Sequence, residues 1–511
     1  MMVRIDPSQP ESLTEQIVTG MQRLVDTREL RPGTRLPSIR KFAADHDVSK
    51  FTVVQAYDRL VASGHVRARH GAGFFVSGPL QSDSRVDGRL RLEKATDVLW
   101  LIRQQGREFH FRHIPGGGWL PARWLEESGL DRAMRDMSRQ GGRSFVSGYG
   151  DPRGYAPLRE DVRRRLEDFG IDAYTDQILI TNGISGAIDL VGRYLIRPDD
   201  VVFVDDPGFY QTFGHMRVLG ATVQGVPWNA TGPDLERLEE MVDRHKPRFY
   251  ITTPIVQNPT GHSISQGTAF RLLQLAERYD FYIIEDDVDG PCHPAPPPRL
   301  AGLDQLNRVI YVNGFSKALS PRLRVGFVAA HRDLVRDLVD LKMLTQAASS
   351  EFTERVVHKV IAQGQYRKYR SKLVSRLERA REIALRRLEE IGFGPAGDDT
   401  HGMYAWMDVP GVADTTSLAE AAAKRDMLLA PGAMFRPDMS PSTKMRFNVA
   451  FCQSDETFRA LEELLDGLTP SNRAIAQPVL TCRSAAPAAI ARARGRSSRE
   501  PAPPPSPART G

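Results

Sequence analysis

Residues 309–324 read VIYVNGFSKALSPRLR. An apolar run, Val309-Ile310-Tyr311, leads into Gly314-Phe315-Ser316-Lys317, with Arg324 seven residues on. The same layout recurs upstream. Ile178-Leu179-Ile180 precedes Thr181-Asn182-Gly183-Ile184-Ser185-Gly186, and Val201-Val202-Phe203-Val204 precedes Asp206-Pro207-Gly208-Phe209. Phe249-Tyr250-Ile251 precedes Gln257-Asn258-Pro259-Thr260-Gly261, and Tyr282-Ile283-Ile284 precedes Glu285-Asp286-Asp287. Helical patterns separate most of these runs. Short strands that are apolar on both faces and joined by helices predict an α/β domain with a mostly parallel sheet. In such a sheet ligands bind at the carboxyl ends of the strands, where each run here meets a polar or Gly-rich segment.

Working outward, the chain divides into four zones: a head at 1–78, a polar linker at 79–108, the α/β domain at 109–470 and an Ala/Pro/Arg-rich remainder at 471–511. In the head, Leu13, Ile17, Met21, Leu24 and Val25 recur at helical spacing. Pro37-Ser38 opens a second helix to about Asp45, and after a turn at His46-Asp47-Val48, Ser49 caps a third that runs to about Ser63. Residues 65–69, a Gly71-Ala72-Gly73 turn and Phe74-Phe75-Val76 read as a two-stranded wing. The whole is a winged helix-turn-helix. Its third helix is expected in the major groove of double-stranded DNA, with Ser49, Lys50 and Thr52 toward base edges. Arg35, Ser38 and Arg40, at the start of the second helix, are expected on phosphates, and His70-Gly71 at the wing tip near the minor groove.

Charge fits this division. The net charge is +6, and residues 471–511, with seven Arg and one Glu, carry that same excess, so the rest of the chain is neutral. The tail cannot bury enough apolar surface to offset chain entropy and is expected to be disordered. No apolar run approaches the roughly 18 residues of a spanning helix, and the polar start lacks a signal-peptide core, so neither membrane integration nor secretion is expected. Cys292, Cys452 and Cys482 form no CxxC pair, so neither a disulfide framework nor a cysteine-zinc site is expected. A cytoplasmic setting follows.

The head resembles the GntR-type DNA-binding domain over nearly all of residues 8–77, through LRPGTRLPSIRKFA, VSKFTVVQAYDRL and the GAG wing. Lys50 stands where that family usually has Arg, which weakens bidentate reading of guanine. The five strand-end segments, in this order and at these separations, resemble the fold-type I pyridoxal-phosphate aminotransferases. With both parts, the chain to about residue 465 is similar to MocR-type regulators, which fuse the two. YGDPRGYAPLR at 149–159, HGMYAW at 401–406 and LAPG at 429–432 support the likeness.

The resemblance implies pyridoxal 5′-phosphate as cofactor and assigns roles. Lys317 matches the Schiff-base lysine, and Asp286 the carboxylate that keeps the pyridine nitrogen protonated. Ile184, Ser185 and Gly186 open a helix directly after a strand, a phosphate cradle completed by Ser316 and Arg324. Phe209 matches the aromatic stacked on the ring, and Asn258 the donor to the phenolic oxygen. Arg446, in Lys444-Met445-Arg446-Phe447-Asn448, matches the arginine that grips a substrate carboxylate. The plainer alternatives are a helix cap for Asp286, core packing for Phe209 and a surface salt bridge for Arg446. Departures exist too. Val288 replaces a tyrosine expected beside the phenolic oxygen, Gly314 replaces a hydroxyl residue, and Ser185-Gly186 replaces a glutamine pair.

The expectation is a homodimeric transcription regulator that binds operator DNA and senses a small amino compound by forming an external aldimine. The alternative is an active aminotransferase with an autoregulatory or vestigial head.

Overall fold

The computed structural model describes residues 5–6, 9, 11–26, 30, 34–63, 65–69, 73–76, 111–139 and 148–467. The expected linker, the tail with Cys482, and the wing tip His70-Gly71 lie outside them. Two compact units emerge, Met1–Arg89 and Leu90–Gly511.

In the first unit, helices α1 (Leu13–Asp26), α2 (Ile39–Asp45) and α3 (Lys50–Ala62) are followed by strands β1 (Val66–Arg69) and β2 (Gly73–Val76). The strands pair antiparallel, Val66 opposite Val76. Ile17, Met21, Phe42, Val53, Tyr57, Leu60, Val66 and Val76 form one buried cluster, so all five elements share a core. Tyr57 anchors it, edge-on to Phe42 and Phe74 and with its hydroxyl donating to Pro37 O at 3.1 Å. The caps are as expected: Ser38 Oγ accepts from the Lys41 N–H at 3.2 Å and Ser49 Oγ from the Thr52 N–H at 3.0 Å.

The second unit is organised by a sheet of β3 (Ile178–Thr181), β4 (Val201–Asp206), β5 (Thr222–Asn229), β6 (Gly232–Pro233), β7 (Phe249–Thr252), β8 (Tyr282–Asp286), β9 (Val309–Gly314) and β10 (Gly326–Ala329). Their spatial order is β3-β10-β9-β8-β7-β4-β5-β6. Strands β5, β4, β7, β8 and β9 run parallel, while β10 is antiparallel to both neighbours, with Gly326 opposite Gly314 on one side and Thr181 on the other. Side chains alternate between two cores, Ile180, Phe203, Tyr250, Ile283 and Tyr311 on one face and Leu179, Val204, Ile251, Ile284 and Val312 on the other. That two-sided burial explains the apolar runs. Sequence reading passed over β5, whose Gly225 and Pro227 interrupt any apolar run, and β10, which has only four residues.

A smaller antiparallel sheet, β11 (Tyr404–Asp408), β12 (Ala430–Pro431) and β13 (Lys444–Asn448) in the order β11-β13-β12, packs against helix Gln365–Glu390. Among the described residues no helix is long and apolar enough to cross a membrane.

Candidate functional site

At the carboxyl ends of the parallel strands lies a cavity of about 450 Å³. Ile184, Ser185, Phe209, Asn258, Asp286, Ser316, Lys317 and Arg324 all line it. Two expected residues do not. Gly186 sits in the same first helical turn without reaching the wall, and Arg446 lies behind Asn258.

The anion end is built by close approach of three segments. Helix Gly183–Leu195 starts two residues after β3, and Gly183 takes φ +74°, a conformation that favours glycine. A Cβ there would stand 2.8 Å from the Arg324 guanidinium, and one at Gly326 would stand 2.6 Å from the Gly183 carbonyl carbon. Arg324 Nη2 donates to Asn182 O at 3.3 Å. The result is a helix N-terminus with unsatisfied N–H groups, a hydroxyl on each side (Ser185, Ser316) and an exposed guanidinium, a donor set suited to a phosphate.

Strand alternation sorts the three consecutive acids after Ile284. Glu285 accepts from the Leu300 and Ala301 N–H groups at 3.1 and 2.7 Å, and burial followed by the charge of Asp287 pushes its carboxyl up to about 8. Asp287 is held by Arg299 Nε at 3.1 Å and by the Tyr311 hydroxyl at 2.5 Å. Asp286 alone of the three faces the cavity. Among the described residues it accepts only the Val288 N–H, at 3.2 Å, and caps no helix. Burial, then the charge of Asp289, pushes Asp286 up to about 7. A buried carboxyl with a titration point near neutrality and no cation bonded to it among the described residues fits a partner with which it can share a proton, as a pyridine nitrogen does once protonated.

The Lys317 Nζ donates to Gly118 O and to the Tyr404 hydroxyl, the latter at 3.2 Å. Burial opposes its charge, but Tyr404 and Asp289 outweigh that and hold the amine above its ordinary value. Phe209 is the residue ahead of helix Tyr210–Val218 and presents its ring to the cavity with Tyr210 packed behind it, so cavity wall and core packing are both true of it. Arg446 is fully buried, which rules out a surface salt bridge. It donates to Asn258 Oδ1 at 3.0 Å and to Gly116 O at 2.9 Å, while its Nε finds no acceptor among the described residues.

Three contributors escaped the sequence reading. Gly118 belongs to a Gly116-Gly117-Gly118 run that a search for close backbone approach could have singled out. Tyr404 sits inside the HGMYAW stretch, where nothing local marks its hydroxyl as facing a lysine nearly ninety residues away. Asp289 is 1% exposed, lines the cavity, and neither carboxylate oxygen accepts a hydrogen bond among the described residues.

In the head, Arg35, Ser38, Arg40, Ser49 and Lys50 are exposed and Thr52 is partly so. Arg35 differs from expectation in its setting: it precedes α2 and forms a β-bridge with Phe75 on the wing, because the Leu36 and Val76 N–H groups bond across to Phe74 O and Thr34 O. The Ser49 and Thr52 hydroxyls bond each other at 2.7 Å.

Residues 126–464 match the aminotransferase class I and II family, and residues 13–76 the bacterial regulatory proteins of the gntR family. An uncharacterized HTH-type transcriptional regulator of Bacillus subtilis, YdfD, is 25% identical over 479 residues, spanning 88% of this chain and 95% of its own. The probable rhizopine catabolism regulatory protein MocR of Rhizobium meliloti is 29% identical over 343 residues, spanning 64% of this chain and 67% of its own. Among solved structures, the α-aminoadipate aminotransferase LysN of Thermus thermophilus, complexed with a phosphopyridoxyl-leucine, is similar with a TM-score of 0.66 and 25% identity, covering 76% of this chain and 98% of that one. With the family match over most of its length and a regulatory domain ahead of it, the chain belongs to the aminotransferase class I and II family as a transcription regulator of the MocR type, with pyridoxal phosphate as its cofactor.

Proposed function

We propose that this regulator senses a small amino compound at the cavity of Lys317 and reports it, as a homodimer, to double-stranded operator DNA. One observation carries the reading: groups suited to an aldehyde, a pyridine nitrogen, a phenolic oxygen and a phosphate converge on a single cavity from five strand ends. Pyridoxal phosphate, when bound, supplies an aldehyde carbon on which the lysine amine can be exchanged for the amine of a ligand.

The chain's own residues do the rest. Lys317 offers the amine, held toward Gly118 and Tyr404 when it is not engaged. Asp286 holds a proton at its oxygen or shares the one facing it, Asn258 has its amide N–H₂ left over because its Oδ1 is taken by Arg446, and Arg324 with Ser185 and Ser316 retains an anion. Arg446 is the proposed grip for a ligand carboxylate, which, because Arg446 lies behind Asn258, would reach it by displacing Asn258 Oδ1 from Nη1. Val288 lines the cavity without a hydroxyl, so capture of the amine is expected to outrun turnover.

The test is a screen of amino acids and other carboxylated amines for a change in the visible absorbance of the cofactor-loaded protein, each hit then assayed for operator affinity and keto-acid formation. A spectral shift coupled to a change in DNA affinity, with slow or no product, supports sensing. Brisk turnover with no effect on DNA overturns it in favour of an aminotransferase.

A further inference from the structure

We propose that the large domain has a second anion site, a cleft of about 940 Å³ lined by Arg165, Arg299, Arg367 and Arg370, that takes a small phosphate-bearing molecule with a planar ring. It is separate from the cavity of Lys317 and does not depend on the sensing reading.

The first support is donor surplus. Arg165 donates Nη1 to the Tyr366 hydroxyl at 2.9 Å, and Arg299 donates Nε to Asp287 at 3.1 Å. Each keeps a buried Nη2 with no acceptor among the described residues. Arg299 is 4% exposed, so water does not stand in readily for the missing partner. A second support is the charge balance. The acids on the wall are engaged elsewhere, Asp161 with His358 and Glu167 with Arg163, and Asp168 sits exposed at the rim. Arg165, Arg367 and Arg370 form no ion pair among the described residues. Burial and the like charges of Arg165 and Arg299 pull the Arg370 guanidinium below its ordinary value, a repulsion that an anion between them would relieve.

The remaining wall says what else the ligand carries. Arg165 lies over the rings of Phe169, Phe315 and Tyr366 at 5.5, 5.3 and 5.3 Å, and Arg299 over Phe169 at 3.9 Å. A wall in which guanidinium groups alternate with Phe169, Phe315 and Ile361 suits a flat ring, and the forked donors suit phosphate oxygens. A concave wall of this kind, with partly buried arginines, fits a small molecule better than the convex backbone of a duplex. The cleft shares Phe315 with the loop that carries Ser316 and Lys317.

Adenosine 5′-monophosphate serves as probe, with adenosine, inorganic phosphate and a short duplex DNA as comparisons. Calorimetry uses the full chain loaded with pyridoxal phosphate and then freed of excess by gel filtration, so that the cofactor's own anion site is filled while free cofactor, itself a phosphate on a planar ring, does not compete for the cleft. The expected result is one equivalent of the nucleotide bound at least tenfold more tightly than adenosine or inorganic phosphate. Arg367→Gln with Arg370→Gln should weaken it at least tenfold while leaving the cofactor absorbance intact. If that double variant loses the absorbance, Arg165→Lys decides instead, since it keeps the charge and removes the fork; it too should weaken binding. Equal affinity for nucleotide, adenosine and phosphate, or nucleotide affinity unchanged in the variants, overturns the proposal. So does a variant that loses only duplex affinity, which would make the cleft a DNA backbone contact.

Discussion

Lys50 in the head and Lys317 in the large domain are both candidate functional amines, yet their settings are opposite. Lys50 is exposed at the start of α3, within two residues of Ser49 and Thr52, and the whole candidate DNA surface apart from the wing comes from residues 35–52. Lys317 is fixed between a backbone carbonyl and a tyrosine hydroxyl, and the groups around it come from Gly118, the ends of five strands and β11. An exposed, local set of groups acts through a sum of modest contacts, each screened by salt. A buried, assembled set acts as a unit, because every group left without its partner is costly. Substitutions should therefore give graded effects in the head and near-complete ones in the large domain.

The largest expected effect is that of Lys317→Ala. It should abolish the lysine-dependent visible absorbance of the loaded protein entirely, as read by spectrophotometry with added pyridoxal phosphate. Unchanged absorbance in the variant would remove the lysine from the unit and break the contrast.

Next comes pH. Asp286 titrates at about 7 in the fold, well above an exposed aspartate. Between about pH 4 and that point the folded chain holds a proton that the unfolded chain has released, so stability falls as pH rises, by about 1.4 kcal/mol per pH unit for this group. Asp205 and Glu285, pushed up to about 6 and about 8 chiefly by burial, act in the same direction. Asp286→Asn should flatten the difference between urea midpoints of cofactor-free protein at pH 5 and pH 7, whereas substitutions in the head should not.

Gly326→Ala should cost about 1–3 kcal/mol through overpacking, because its methyl meets backbone atoms of Gly183 and Ile184 within 2.7 Å. The same change should weaken cofactor retention, measured by dialysis, since the anion end shifts with it. Loss of stability with unaltered retention would mean that the helix start is not part of the anion grip.

The smallest effects belong to the head. Arg40→Ala should weaken DNA binding severalfold on all sequences and lower the log–log salt slope by about 1. Lys50→Ala or Thr52→Ala should in addition change which operators are preferred. If all three acted alike on every duplex, the N-terminal turn of α3 would not be reading bases.

This contrast also governs what could be read from the sequence. The head was legible almost residue by residue, since its caps, apolar faces and wing are set by spacings within one segment. The sheet was legible where strands are buried on both faces, as at Ile178–Ile180, and illegible at β10, where four residues gain their place only from their neighbours β3 and β9. In the site, Lys317, Asp286 and Asn258 stood out because each belongs to a short polar segment at the end of an apolar run, in an order that resembles a known family: Asp286 ends β8, and Asn258 and Lys317 lie in the loops after β7 and β9. Tyr404, Gly118 and Asp289 did not, since their part is created by packing between distant segments. Arg446 was expected at the cavity wall and sits behind it, because Asn258 and Gly116 occupy its terminal nitrogens.

The antiparallel insertion of β10 has a consequence for how such a domain can be altered. Because Gly326 pairs directly with Gly314, residues 315–325 leave and rejoin the sheet at adjacent rungs. That excursion carries the proposed reacting amine, a hydroxyl and a guanidinium together, and its ends are already closed by the ladder. It is therefore an exchangeable cassette: a loop of equal length spans the same gap at no extra closure cost. Grip and reactivity could be exchanged in one transplant between relatives, with the strands on either side left untouched.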